Sequence, residues 1–212
     1  MIAWLNAHWG LVLSTSGQHL YLAMVPVVIG FVLAVPLGWL ATKSGVLRGV
    51  IFYSFGFIYS IPSLALLVVL PVIIATRILD PLNLIVALTI YTVALLVRSV
   101  VDALTSVSWE VRLVATAMGY RPVRRFFAVE LPLSVPVLIA GLRVASVSSI
   151  SLVSVGALLG IGGLGNLFSD GFQHDFVGEI VIGVVASLVL ALLADLVLVL
   201  IGRLTTPWTR VG

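Results

Sequence analysis

The chain carries no charged residue before Lys43, and residues 49–76 and 144–167 are equally free of charge. Roughly 20 uncharged, mostly apolar residues are enough to cross a bilayer as a helix. Inside lipid the backbone must satisfy its own polar groups, which leaves only helices and closed barrels as spanning structures. Runs this long and this apolar therefore point to membrane helices. Composition agrees, with 61% hydrophobic and 9% charged residues, where a soluble domain carries about 25% charged. So few charges could not cover the surface of a soluble fold of this size. The expected class is an all-α integral membrane protein. The absence of Cys rules out disulfides and thiolate metal sites.

Five spans are expected, over about 19–42, 49–76, 81–98, 144–167 and 178–202, within a single transmembrane domain of residues 1–212. The third is short, and Arg98 would snorkel from its end. No Lys or Arg opens the N-terminus, so a secretory leader is not expected. Residues 1–16 read as a short interfacial helix with Trp4 and Trp9 at headgroup depth. With the N-terminus outside, Lys43, Arg48, Arg98, Arg112, Arg121, Arg124, Arg125, Arg143, Arg203 and Arg210 all fall on the cytoplasmic side, leaving only Arg77 outside. The positive-inside bias thus selects N-terminus out and C-terminus in.

That orientation places the largest cytoplasmic segment at about 99–143. Within it Val107, Val111, Val114 and Met118 recur at helical spacing. Ser108 suits an N-cap, and Glu110 falls in the first turn, where the helix dipole favours an anion. Gly119 suits a C′ position of positive φ, and Pro122 can open a second helix, "VRRFFAVEL", running to Pro132. The segment reads as helix, glycine turn, helix, with an apolar stripe and a basic edge. Either it docks in a partner's groove or it lies on anionic lipid.

Chemistry of other kinds finds little support. No GxxxxGK[ST] is present to cradle ATP phosphates. "GIGGLG" at 160–165 matches a dinucleotide fingerprint by letters, but it ends a membrane helix instead of following a strand, so its glycines serve as a helix break and allow close packing. His8, His19 and His174 lack metal-ligand spacing and read as interfacial residues. Catalytic residues are not identified, nor is a nucleic-acid surface. Asp195 lies inside the last span, where a carboxylate is a functional candidate, as in a proton relay, or a structural partner for a neighbouring helix. Arg98 and Asp102 are spaced to pair along the third helix.

The run Val114-Ala115-Thr116-Ala117-Met118-Gly119, with Val129, Leu131 and Pro132 ten, twelve and thirteen residues after Gly119, resembles the EAA loop of binding-protein-dependent ABC importer permeases. "YSIPSLALL" (59–67) and "GIGGLGNLFSDGF" (160–172) extend the resemblance over nearly the whole chain, and "TAMGYRP" and "VELPLSVPVLIAGLRV" resemble most the subfamily that imports glycine betaine, choline and carnitine. The resemblance implies a type I importer fold in a prokaryotic cell membrane. It implies a coupling helix seated in a cytoplasmic ATPase dimer, with ATP and Mg held there and no cofactor on this chain. It also implies a second permease, identical or paralogous, and an external binding protein. Carried over by position, Ala115, Met118 and Gly119 form the ATPase contact, with Arg112, Leu113, Val114, Tyr120 and Arg121 around it. Leu113 stands where the family has Glu, and Val114 where it has the first Ala.

For a quaternary-amine cargo the walls should be aromatic, since such a cation donates no hydrogen bond. The second span offers Tyr53, Phe57 and Tyr59, with a kink at Pro62 beside Ser63, and the fourth offers Ser148 and Ser151. These residues read equally as packing or lipid-facing groups. An amino-acid cargo such as methionine, or a proton-coupled carrier using Asp195, are the alternatives.

Overall fold

The computed structural model describes residues 2–210, all of whose regular elements are helical. In chain order they are α1 (Ile2–Ala7), α2 (Trp9–Ala41), α3 (Gly45–Ser60), α4 (Ser63–Ile74), α5 (Pro81–Thr105), α6 (Trp109–Ala117), α7 (Pro122–Arg125), a π-helical turn (Phe126–Glu130), α8 (Leu131–Ala157), α9 (Gly165–Gln173), α10 (Val177–Thr205) and a closing 3₁₀ turn (Pro207–Arg210). Four helices are long and apolar enough to cross a membrane, and five if the bent α3–α4 pair counts as one span.

Small residues set the helix directions. Gly30 of α2 lies on Thr92 of α5 and Gly38 on Val100, so these two helices run parallel. Gly141 and Gly156 of α8 lie on Ser99 and Leu84, which makes α8 antiparallel to α5. In turn α10 opposes α8, with Gly202 on Ile139 and Asp195 on Arg143. Glycine at such crossings lets two helices approach closely, the main source of packing where lipid is as apolar as the side chains. Because α2 and α5 point the same way, the chain between them must return across the bundle. The α3–α4 pair makes that return.

It does so in two pieces bent by 101°. Pro62 was expected to kink a continuous span over 49–76; instead the helix stops. Proline disfavours helical backbone in the residue before it, and Ile61 is extended at ψ 131°. The Ile61 carbonyl released by the break accepts a hydrogen bond from the Tyr91 hydroxyl of α5.

Other boundaries differ from expectation for equally local reasons. Residues 9–16 are the first turns of α2, not part of a separate interfacial helix, and the break falls at His8. α5 continues seven residues past Arg98, to Thr105. The fourth long helix was expected over 144–167 and a separate one up to Pro132, yet a single helical run extends from Pro122 to Leu159. The π turn explains this: Leu131 N–H reaches back to Phe126 O, the wider spacing that carries the chain past Pro132 unbroken. Arg143, expected in the cytoplasmic loop, is consequently in the middle of α8.

The core follows α5, whose Leu84, Leu96, Val97, Val100 and Val101 are almost fully buried between α2 and α8. By contrast α10 leaves Leu188, Leu192, Leu193, Leu196 and Val197 exposed, a surface suited to lipid.

Candidate functional site

Helix α6 projects from the end of the bundle where α2 and α5 finish. Ser108 caps it, its hydroxyl accepting from Val111 N–H at 3.4 Å. Hydrogen bonds from its own backbone and from Ser108 hold the Glu110 carboxyl below its ordinary range, a stabilised anion at the positive helix end. At the other end Gly119 has φ +86°. Tyr120 N–H bonds Ala115 O at 3.1 Å and Gly119 N–H bonds Thr116 O at 2.9 Å, the paired bonds of a Schellman motif. Both ends are as the residues predicted.

Only Ala115 of α6 is buried, and Val107 before it anchors the segment inward. Of the expected stripe Val107 is buried, while Val111, Val114 and Met118 are 38%, 58% and 71% exposed; Trp109 and Leu113, on another side of α6, are 62% and 53% exposed, so most of the apolar side chains of α6 face away from the chain's own core. Gly119 has open space where a Cβ would stand, while Arg121 is exposed and Arg112 and Tyr120 are half-buried. Covering each large apolar side chain would contribute about 1.5–3 kcal/mol.

One tie joins α6 to the long helix, and nothing in the sequence singled it out. Arg125 Nη1 donates to Thr116 Oγ1 at 2.7 Å, and its Nε donates to Glu130 Oε1 at 2.6 Å. Glu130 is 4% exposed, in the π turn. The pair sits five residues apart, a spacing that ordinary helical periodicity does not bring together and the π turn does.

The same end of the bundle holds cations over rings: Lys43 over Trp39 at 4.3 Å, Arg48 and Arg98 over Phe52 at 5.2 and 5.3 Å, and Arg124 over Tyr120 at 5.0 Å. Arg98 therefore uses Phe52, and its expected pairing with Asp102 is absent.

A model of the family described as "binding-protein-dependent transport system inner membrane component" matches residues 22–211. The chain belongs to this family. It is similar to the glycine betaine/carnitine/choline transport system permease protein OpuCB of Bacillus subtilis, 28% identical over 88% of this chain and 87% of that one. OpuCD of the same organism is 30% identical over 76% and 69%. The osmoprotectant import permease protein OsmW of Salmonella typhimurium is 28% identical over 83% of each chain. Among solved structures, an inward facing conformation of the MetNI methionine ABC transporter matches with TM-score 0.81 and 25% identity, covering 94% of this chain and 98% of that one. An amino acid ABC transporter matches with TM-score 0.80 at 15% identity over 96% and 98%, which bears on the fold alone. This chain is thus the membrane component of an ABC importer.

The permease brings together only some of the residues expected along a path. Tyr59 and Ser148 meet at a small cleft of about 20 Å³ with Tyr91, Thr92 and Ser149, beside the α3–α4 break. Tyr59 packs edge-on to Tyr91 at 5.8 Å. Tyr53 and Phe57 are 84% and 72% exposed on α3, away from that cleft. Pro62 and Ser151 are exposed and Ser63 is half-buried. Ser146 and Ser149 are buried at helix contacts, and Ser149 Oγ donates to Ala23 O at 2.8 Å.

Two polar groups have partners that spacing did not reveal. His19, expected at the interface, is fully buried. Its Nδ1 accepts from Leu164 N–H at 3.1 Å, so its Nε2–H donates to Ile150 O at 2.9 Å. Beside it Gln18 Oε1 accepts from Gly163 N–H at 3.2 Å. The turn they hold needs glycine, with φ +78°, +70° and +83° at Gly160, Gly162 and Gly163. Asp195 is held by Arg143 through two bonds of 2.6 and 2.8 Å. Such a bidentate pair lets two opposite charges persist within a membrane helix pair.

Proposed function

We propose that this permease forms, with a second permease subunit, the alternating-access pathway of an ATP-driven importer, and that α6 is the element that engages the ATPase. The observation that carries this reading is the exposed apolar face of α6, mounted on the basic end of the bundle by the Gly119 turn and the Arg125 tie. A helix lying on lipid would explain the arginines equally well, but not the hydrogen-bonded link from that helix through Arg125 to Glu130 at the start of α8. Positive charge at this end supports an orientation with α6 and the C-terminus in the cytoplasm and the N-terminus outside, in a prokaryotic cell membrane. The permease forms one transmembrane domain, and ATP and Mg belong to the ATPase dimer.

Closure of the ATPase moves α6, and through Arg125 it moves α8, shifting a two-state equilibrium between outward and inward access. An external binding protein delivers the cargo. Similarity to OpuCB, OpuCD and OsmW supports a small quaternary-amine osmoprotectant. Similarity to two permease proteins named for one transport system supports a paralogous partner, as does Leu113 in place of the family Glu. The fold shared with a methionine transporter keeps an amino acid as the second reading. Asp195, occupied by Arg143, fits a structural pair better than a proton carrier.

The test is ATPase activity of the permease reconstituted with its ATPase, with and without binding protein loaded with betaine or with methionine. Stimulation by one loaded form identifies the cargo class. Loss of that stimulation in Gly119→Asp, with the complex still assembled, is the expected result. A permease that binds no ATPase, or that transports unaided, overturns the reading.

A further inference from the structure

A groove of about 240 Å³ opens between α8 and α10, toward the end of the bundle that carries α6. Pro136, Ile139, Ala140 and Arg143, at helical spacing along α8, wall one side of it, and Val199 and Arg203 of α10 wall the other. Gly202 rests on Ile139 at its floor. From Pro136 to Arg143 it runs about 10 Å, at the helical rise per residue. The groove shares no residue with the α6 link or the Tyr59 cleft.

Arg143 has donors that Asp195 does not use. A guanidinium carries five N–H groups, and Asp195 takes one from Nε and one from a single Nη. The other Nη bonds no described residue, and the side chain is 43% exposed. Asp195 precedes Arg203 by eight residues on α10, so Arg143 meets it about 12 Å inside that end of the bundle. The surroundings at that depth are lipid, where N–H groups of a cation left without acceptors are costly. Side chains lean toward the N-terminus of their own helix. In this antiparallel pair Arg143 therefore leans toward the α6 end and Arg203 away from it, and both line the groove. Two cations converging in one groove favour an anion between them.

The bilayer supplies such an anion. A phosphate accepts bidentate bonds from arginine, and basic pockets between membrane helices on the cytoplasmic side suit anionic headgroups. Leu192 and Leu196, on the same side of α10 as Asp195 and Val199, are 69% and 53% exposed and continue the groove inward as an apolar track. Trp208, beyond the groove's outer end, is exposed and of a type that settles at headgroup depth. We propose that the groove between α8 and α10 binds one anionic phospholipid, its phosphate between Arg143 and Arg203, its glycerol against Ile139 and Ala140, and its acyl chains over Leu192 and Leu196. The ammonium of a zwitterionic headgroup would meet the same two cations, so the groove prefers an anionic lipid. Only the assignment to the cytoplasmic leaflet rests on the function proposed above.

The experiment is native mass spectrometry of the intact full chain in detergent, with thermal melting as the check on folding. The probe is dioleoyl phosphatidylglycerol, with dioleoyl phosphatidylcholine and inorganic phosphate for comparison. Saturable retention of one phosphatidylglycerol is expected, at least ten-fold tighter than phosphatidylcholine and not displaced by excess inorganic phosphate. Retention should weaken at least ten-fold in Arg203→Gln and in the neutral pair Arg143→Gln with Asp195→Asn. It should persist in Arg48→Gln, which removes a cation at the same end but outside the groove. Equal retention of the two lipids, wild-type retention in the folded groove variants, or equal weakening by Arg48→Gln overturns the proposal. Displacement by inorganic phosphate would assign the groove to a free anion, and loss of the lipid on assembly of the importer would assign it to the second permease; either overturns the proposal too. If the neutral pair does not fold, Arg203→Gln in the exposed last turn of α10 carries the comparison. A permease that retains the lipid but binds no ATPase would remove the importer reading and leave this site standing.

Discussion

Replacing Arg125 by Met removes the bond to Thr116 that joins α6 to the long helix and the bond to Glu130 within that helix, and the consequences can be ordered from the geometry. The loss leaves Glu130, 4% exposed, with its charge unpaired inside the π turn. Removing one partner of a buried pair destabilises by about 3–5 kcal/mol. For a chain of this length each kcal/mol corresponds to about 2–4 °C in melting temperature, so the expected drop is about 6–20 °C. Adding Glu130→Gln removes the stranded charge, so the double variant should recover much of that loss without restoring the link to Thr116. Thr116→Val breaks only the outer bond, at an exposed residue, and should change stability by no more than about 1 kcal/mol. Thermal unfolding of the reconstituted permease checks the order. Coupling separates from stability in the ratio of transport to ATP hydrolysis: it should fall in the double variant and in Thr116→Val even where melting is near normal. A melting temperature for Arg125→Met within about 2 °C of wild type refutes the stranded-charge argument. An unchanged ratio in the folded double variant refutes the transmission argument.

Two further outcomes follow from the polar groups inside the bundle. His19→Phe leaves the Leu164 N–H without its acceptor and removes the second bond to the Ile150 carbonyl; at about 1–3 kcal/mol for a buried unsatisfied group it should lower the melting temperature and raise amide exchange across 160–165, and unchanged exchange there would remove His19 as the holder of the glycine turn. Asp195→Asn strands Arg143 in the middle of α8, whereas Arg143→Gln with Asp195→Asn leaves neither charge; the double variant should express and melt closer to wild type than either single one, and an equal or worse double variant would show that the pair acts as more than mutual neutralisation.

Much of the architecture was legible because lipid simplifies the physics. An apolar run of sufficient length must be helical. The ends of α6 were legible for a different reason: Ser108, Gly119 and Pro122 act through their own backbone geometry and need no distant partner. Where a neighbour decided the outcome, sequence reasoning failed. Pro62 ends a helix through its effect on Ile61, and the freed Ile61 carbonyl is taken by Tyr91, thirty residues away. Pro132 does not end one because a π turn precedes it.

The same division separates the functional groups. The sequence by itself determined an all-helical membrane chain, its basic end and the capped apolar helix at that end, since each rests on composition, hydrophobic run length or a local cap. Only the tertiary structure decided that Arg143 meets Asp195 across 52 positions, that His19 reaches Leu164 across 145, and that the apolar face of α6 points away from the core. Pairings at such separations depend on which helix faces packing brings together, and linear spacing carries no information about that.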